Sequence, residues 1–178
     1  MVASVPVQGA LDVERLYRAH GHHVLRRARA LLGSEEESRD VLQEVFLSLV
    51  QSPGQFEHRS SPATWLYSAT THRCLNRIRD RKNRARLLGS GAPPADVGAP
   101  RAEQTVQAAR LLAELPDELA QAAIYHYIDE STHEEIATIM GCSRRHVGDL
   151  LARVKRWAEA LEAPEAPGAP EAPLKRPV

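Results

Sequence analysis

Apolar residues recur along this chain at intervals of three and four, and they seldom alternate with polar ones. The pattern predicts helices throughout and no sheet. From 11 to 32 the stripe is Leu16, Ala19, Val24, Leu25, Ala28, Leu31 and Leu32, and Gly33 ends it. Ser34 caps a second helix, with Glu35, Glu36 and Glu37 near the positive end of its dipole. Its apolar positions come in pairs: Val41 with Leu42, Val45 with Phe46, Leu49 with Val50. So wide a stripe suits a helix gripped from two sides, and it leaves Asp40, Gln43 and Glu44 on the open face. Ser52-Pro53-Gly54 halts this helix, and a loop holding Phe56, His58 and Arg59 follows. Ser61-Pro62 then supplies a cap and a proline at the first helical position of a third helix, which carries Trp65, Leu66, Ala69, Leu75 and Ile78.

In the second half, helix resumes near Glu103. Leu115-Pro116-Asp117-Glu118 starts another, leading through Leu119, Ala122, Ala123, Ile124, Tyr127 and Ile128. Between Ser131 and Trp157 two short helices are predicted. Ser131 with Glu134 forms a capping box, and Ile136, Ala137, Ile139 and Met140 make the buried face. Gly141 supplies the positive φ of the stop, Ser143 caps the next helix, and Val147, Leu150, Leu151 and Val154 line its inner side. Two helices on a three-residue turn, with small Ala137 where they approach, describe a helix-turn-helix. Its second helix, Arg144 to Arg156, would be about 20 Å long, enough to lie along a major groove.

Between Gly89 and Pro100 the sequence is rich in Pro, Gly and Ala and offers little to pack. The expectation is an all-α protein of two small helical domains, 11–88 and 109–161, joined by a flexible linker over 89–108. A lead-in at 1–10 and a Pro/Ala-rich disordered tail at 162–178 complete it.

Charge sharpens this picture. The 23 Lys and Arg balance the 23 Asp and Glu overall. Residues 1–90, however, hold 14 basic against 9 acidic side chains, and residues 91–178 hold 9 against 14. A neutral total therefore does not exclude nucleic acid. Arg73, Arg77, Arg81 and Arg84 step by four, four and three, so they share one helix face, as a row of phosphate contacts would require. Arg144, Arg145, Arg153, Lys155 and Arg156 decorate the second helix of the helix-turn-helix.

Other chemistry is poorly represented. No P-loop, nucleophile elbow or paired metal-ligand spacing occurs, and His20, His22 and His23 at i, i+2, i+3 do not converge on a metal. An enzyme is not expected, nor is a cofactor. Cys74 and Cys142 suit reduced, partly buried thiols. With no signal peptide and no apolar run near 18 residues, the chain is expected to be soluble, cytoplasmic and without membrane insertion. A free-standing regulator using the helix-turn-helix alone is the alternative to a protein that touches DNA at two places. The basic module Arg39–Arg86 argues against it, since a simple repressor needs none.

At this point the residues resemble a known family. R-D-V-L-Q-E-V-F-L at Arg39–Leu47, T-W-L-Y at Thr64–Tyr67, the run into Arg77-Ile78-Arg79, then Leu115-Pro116, E-E-I-A at Glu134–Ala137, Gly141 and Val147 follow, in order and spacing, the extracytoplasmic-function sigma factors of bacterial RNA polymerase. The resemblance covers about 11–88 (sigma region 2) and 109–161 (sigma region 4). It implies that Asp40, Gln43 and Glu44 dock on the clamp helices of the polymerase β′ subunit, and that region 4 meets the β flap. It implies −10 promoter contacts from Phe56, His58, Arg59, Arg73, Asn76, Arg77, Arg81 and Arg84. Contacts to the −35 element would come from Ser143, Arg144, Arg145, His146 and Arg153. An anti-sigma partner is implied too. The sequence departs from the family pattern at His72 and Asn76, where Asn and Asp are common, and at Gly148 and Asp149.

Overall fold

A computed structural model describes residues 12–51, 61–89 and 100–162, with side chains from 103 to 161 in the last span. Within them lie seven α-helices and a π-helical turn. They are α1 (Val13–Leu32), α2 (Glu35–Gln51), α3 (Pro62–Leu87), α4 (Pro100–Leu112), α5 (Asp117–Ala123), the π-turn Ile124–Ile128, α6 (His133–Met140) and α7 (Arg144–Glu162). No strand occurs among the described residues.

The stops and starts have local causes. Asp12 accepts from the Arg15 N–H at 2.9 Å to open α1, and Gly33 closes it at φ 65°. Ser34 accepts from the Glu37 N–H at 3.3 Å, and Ser61 accepts from the Thr64 N–H at 3.1 Å ahead of Pro62. Gly141 ends α6 at φ 66°, and Ser143 then accepts from the His146 N–H at 3.1 Å. One cap differs from the sequence expectation. The capping box belongs to Thr132 and Glu135, not Ser131 and Glu134. The run S-T-H-E-E offers the same spacing in two registers. The Ser131 N–H is already donated to the Tyr125 carbonyl at 2.9 Å, across a bend where Glu130 sits at φ 56°. The helix therefore begins one residue later, and Glu134 is left exposed within reach of Arg144.

α1, α2 and α3 pack as a bundle around Val24, Leu31, Val41, Val45, Leu66 and Leu75. In the second half, α5, α6 and α7 enclose Leu119, Ile136, Val147, Leu150 and Val154. These two groups are the two helical domains expected from the sequence, and they pack against each other over one continuous apolar core: α4 lies against α1 and α3, while α5 and α6 lie against α3. Within 89–108, read from the sequence as a flexible linker, helix begins at Pro100. That is three residues ahead of Glu103, where the sequence had helix resuming, and Val106, Ala109 and Leu112 make its buried face. Residues 90–99, the lead-in up to 11 and the tail from 163 lie outside the described residues.

Two polar clusters fasten the halves. Arg27 of α1 donates two parallel bonds to Asp129, one of them Nη2 to Oδ2 at 2.7 Å, and its guanidinium also lies 4.5 Å from the centre of the Tyr67 ring. Tyr67 donates its hydroxyl to the same carboxylate at 2.5 Å and stacks on the buried Tyr125. The Arg27 and Asp129 side chains are only 9% and 14% exposed, so this pair is largely withdrawn from water. Further along α3, Arg79 donates to the carbonyls of Ala113 and Leu115, each at 2.8 Å, and to the Asp117 carboxylate. It thereby satisfies carbonyls of the turn between α4 and α5.

Candidate nucleic-acid interface

α7 holds the cationic side chains of the helix-turn-helix on its outer faces because Val147, Leu150, Leu151 and Val154 are turned inward. Ser143 is engaged as the cap. Arg144, Arg145 and Arg153 are exposed, and Arg144 donates to Glu134 at 3.3 Å. His146 lies 2.7 Å from the Glu118 carboxylate. Gly148 has nothing within 4 Å of where a Cβ would stand, and Asp149 is exposed. Trp157, near the far end of α7, is partly buried against the core. At 1.5 Å per residue, α7 presents about 28 Å of helix, with exposed Arg144 and Arg145 in its first turn and exposed Arg153, Lys155 and Arg156 further along.

The arginine row on α3 has a different setting. Arg77 donates to Asp40 at 3.2 Å and to Glu44; Arg73 lies 3.7 Å from Glu44; Arg81 donates to Glu37 at 2.5 Å. Arg84 is exposed and makes no ion pair with a described residue beyond its own backbone roles. Asn76 lies beside His72 at 3.1 Å. So α2 carboxylates and α3 guanidinium groups face one another across a seam, and the acidic face of α2 is not simply open to solvent. Gln43 and Asp40 are exposed and Glu44 is half-buried. Along that seam runs a groove of about 620 Å³, lined by Glu44, Arg73, Asn76, Arg77, Arg84 and Leu87 among others. Phe56, His58 and Arg59 lie outside the described residues. Trp65 packs against the core, as its helical position suggested.

The titratable groups of this region owe their shifts mainly to burial. Burial, with Arg79 and Arg73 nearby, holds the His72 imidazole below its usual 6.5. Burial raises the Tyr67 hydroxyl, which the Asp129 carboxylate reinforces. It also pushes the Cys74 thiol up to about 12. Among the described residues, no three or more His, Cys, Asp or Glu side chains are placed to hold a metal. None of the helices described is long and apolar enough to cross a membrane.

Against known proteins, the Sigma-70 region 2 family matches residues 16–84 and the Sigma-70 region 4 family matches residues 105–157. These spans contain the three-helix bundle and the helix-turn-helix in the order found here. The chain belongs to the ECF RNA polymerase sigma factors. It is 27% identical over 143 residues to the ECF RNA polymerase sigma factor SigM of Mycobacterium tuberculosis, covering 80% of this chain and 72% of that one. It is also 27% identical over 167 residues to SigW of Bacillus subtilis, covering 84% and 85%. Its fold matches the sigma factor RpoE solved in complex with the anti-sigma factor NepR from Bartonella quintana. That match has a TM-score of 0.51 and 18% identity, over 84% of this chain and 96% of that one.

In this sigma factor the −35 candidates lie on α7 or its cap: Ser143 is the cap, Arg144, Arg145 and His146 are in the first turn, and Arg153 is further along. Five of the −10 candidates (Arg73, Asn76, Arg77, Arg81 and Arg84) lie on α3. Sequence reasoning missed Arg27, Asp129 and Arg79. Arg27 and Asp129 are 102 positions apart, and nothing in the local pattern of either points to the other.

Proposed function

We propose that this sigma factor carries RNA polymerase core to promoters by touching DNA at two places and by holding melted DNA without consuming fuel. Ser143, Arg144, Arg145, His146 and Arg153 face the −35 element. Arg73, Asn76, Arg77 and Arg84 face the −10 element together with Phe56, His58 and Arg59. Arg81, paired with Glu37 in a half-buried setting, belongs to the fold more than to the phosphates. Asp40, Gln43 and Glu44 form the docking face for the β′ clamp helices, and region 4 meets the β flap. The protein performs no catalysis of its own, works in the cytoplasm and is restrained by an anti-sigma factor. The observation that carries the reading is the pairing, in one chain, of a bundle bearing a cationic helix face with a helix-turn-helix bearing an accessible cationic first turn.

Strand opening costs a few kcal/mol for each base unstacked. Without a fuel, only tighter binding to the separated strand than to duplex offsets that cost. Cationic contacts with the backbone and stacking on exposed rings supply it.

Distance adds a requirement. The −35 and −10 elements lie about 25 base pairs apart, about 85 Å at 3.4 Å per pair. A packed chain of this length has a radius of gyration of about 16 Å. The arrangement fastened by Arg27, Tyr67 and Asp129 is therefore a resting form, and its halves part when both elements are engaged.

Run-off transcription from genomic DNA with purified core polymerase tests the reading. Adding this protein should produce defined transcript starts that share upstream elements. Tight, sequence-specific binding to duplex DNA without polymerase, and no directed initiation, would overturn it.

A further inference from the structure

The carboxylates assigned to polymerase docking and the guanidinium groups assigned to DNA are, in this structure, each other's partners. Asp40 and Glu44 hold Arg77, and Glu44 also lies near Arg73. A carboxylate presents two oxygens to an arginine fork much as a phosphodiester does. An arginine so engaged is not free for a phosphate, and a carboxylate so engaged is not free for a cationic protein surface. Both functions cannot be served by the pairs as they stand.

The pairs are also built to exchange. Glu44 is 41% exposed and Asp40 51%, against 21% for Arg77, so water reaches the carboxylates and screens each pair. Arg81 with Glu37 is different, at 14% and 24%, and stays as a fastening of α3 to α2. The groove beside the exchangeable pairs also has Arg84, Asn76 and Asn83 on its walls, groups suited to a nucleic-acid backbone, with Asp80 the one further carboxylate among them.

We propose that Asp40 and Glu44 act as internal stand-ins for phosphate on Arg73 and Arg77, so that a cationic surface of polymerase core seated on α2 and a DNA strand seated on α3 favour one another. Core docking withdraws the carboxylates and bares the arginines. DNA binding bares the carboxylates in return, since such coupling is reciprocal. This rests on the assignment of α2 to core docking, and it accounts for how one narrow seam can hold two opposite charges that must act on two partners. It also makes the free protein a weak DNA binder by construction.

The test uses the full chain and a fluorescent 12-nucleotide oligo(dT), with anisotropy followed from about 50 to 200 mM salt. Asp40→Asn with Glu44→Gln should tighten binding by about threefold to tenfold at the low-salt end. It should also steepen the logarithmic salt slope by about 0.7 for each arginine released. Glu36→Gln removes a charge from the exposed start of α2 without touching the row, and should leave the slope unchanged. Adding Arg73→Gln to the double variant should return part of the slope. Independently, Arg77→Gln should strengthen capture by core polymerase, whereas Asp40→Asn with Glu44→Gln should weaken it. If the double variant matches Glu36→Gln in affinity and slope, the stand-in idea is wrong. If DNA binding tightens while core capture is unaffected by either variant, the docking assignment is what fails, and the coupling falls with it.

Discussion

Cys74 and Cys142 are both free, yet their surroundings give them different chemistry. Cys74 is fully enclosed among α1, α2 and α3, and its thiol is pushed up to about 12 by that burial. Cys142, in the turn between α6 and α7, is only partly covered; burial and the nearby Glu118 raise its thiol too, but reagent can reach it. Since the thiolate is the reacting species, alkylation of the native protein at pH 8 should label Cys142 and spare Cys74, with both labelled in denaturant. Mass spectrometry after a timed pulse reads this directly; rapid native labelling of Cys74 would contradict the packing. His72 offers a second measurement. It faces Asn76, with Asp117 3.9 Å away, while burial and the nearby Arg79 and Arg73 lower its pKa. The folded chain thus binds this proton less readily than the unfolded chain. The penalty is absent above the usual 6.5, grows as pH falls through that value, and levels off below the depressed one. His72→Asn, the family's common residue here, should flatten that part of the urea midpoint against pH, and an unchanged profile would show that His72 is not its source.

At the scale of elements, α7 carries an avoidable cost. Gly148 sits inside the helix with an ordinary φ and open space where a Cβ would stand. Gly148→Ala should stabilise the protein by about 0.5–1 kcal/mol, seen as a higher denaturant midpoint with an unchanged slope. Helices were largely legible in the sequence because their ends are marked chemically: Gly33, Ser34, Ser61-Pro62, Gly141 and Ser143 each act where local pattern places them. The slip at Ser131 arose because two registers of one motif are equally good locally, and a distant carbonyl at Tyr125 decides between them. Surface positions were read less well. Ala19, Val50 and Tyr127 fit apolar stripes yet are exposed, since a stripe marks a direction and not the edge of the neighbouring helix. The arginine row was visible as a geometric fact. That α2 carboxylates answer it was not, because only the packing of α2 on α3 brings positions more than 30 apart into contact.

For the molecule as a whole, the decisive feature is the contact between halves that the sequence presented as separate. Asp129 accepts from Arg27 and Tyr67, and Arg79 ties α3 to the turn before α5. Removing one partner of a largely buried pair costs about 3–5 kcal/mol, so these few bonds bear heavily on which form is populated. Asp129→Asn keeps the size and loses the charge. It should loosen the closed form and enlarge the radius of gyration in small-angle scattering while helix content stays the same. To span the −35 and −10 elements the closed form must open, and the distance between spin labels at exposed Leu87, on the end of α3, and exposed Leu161, on the end of α7, in a Cys142→Ser background, reports that opening. A single short distance in the free protein should be replaced by one longer by tens of ångströms when core polymerase and promoter DNA are added. An unchanged distance in a transcribing complex would contradict the account.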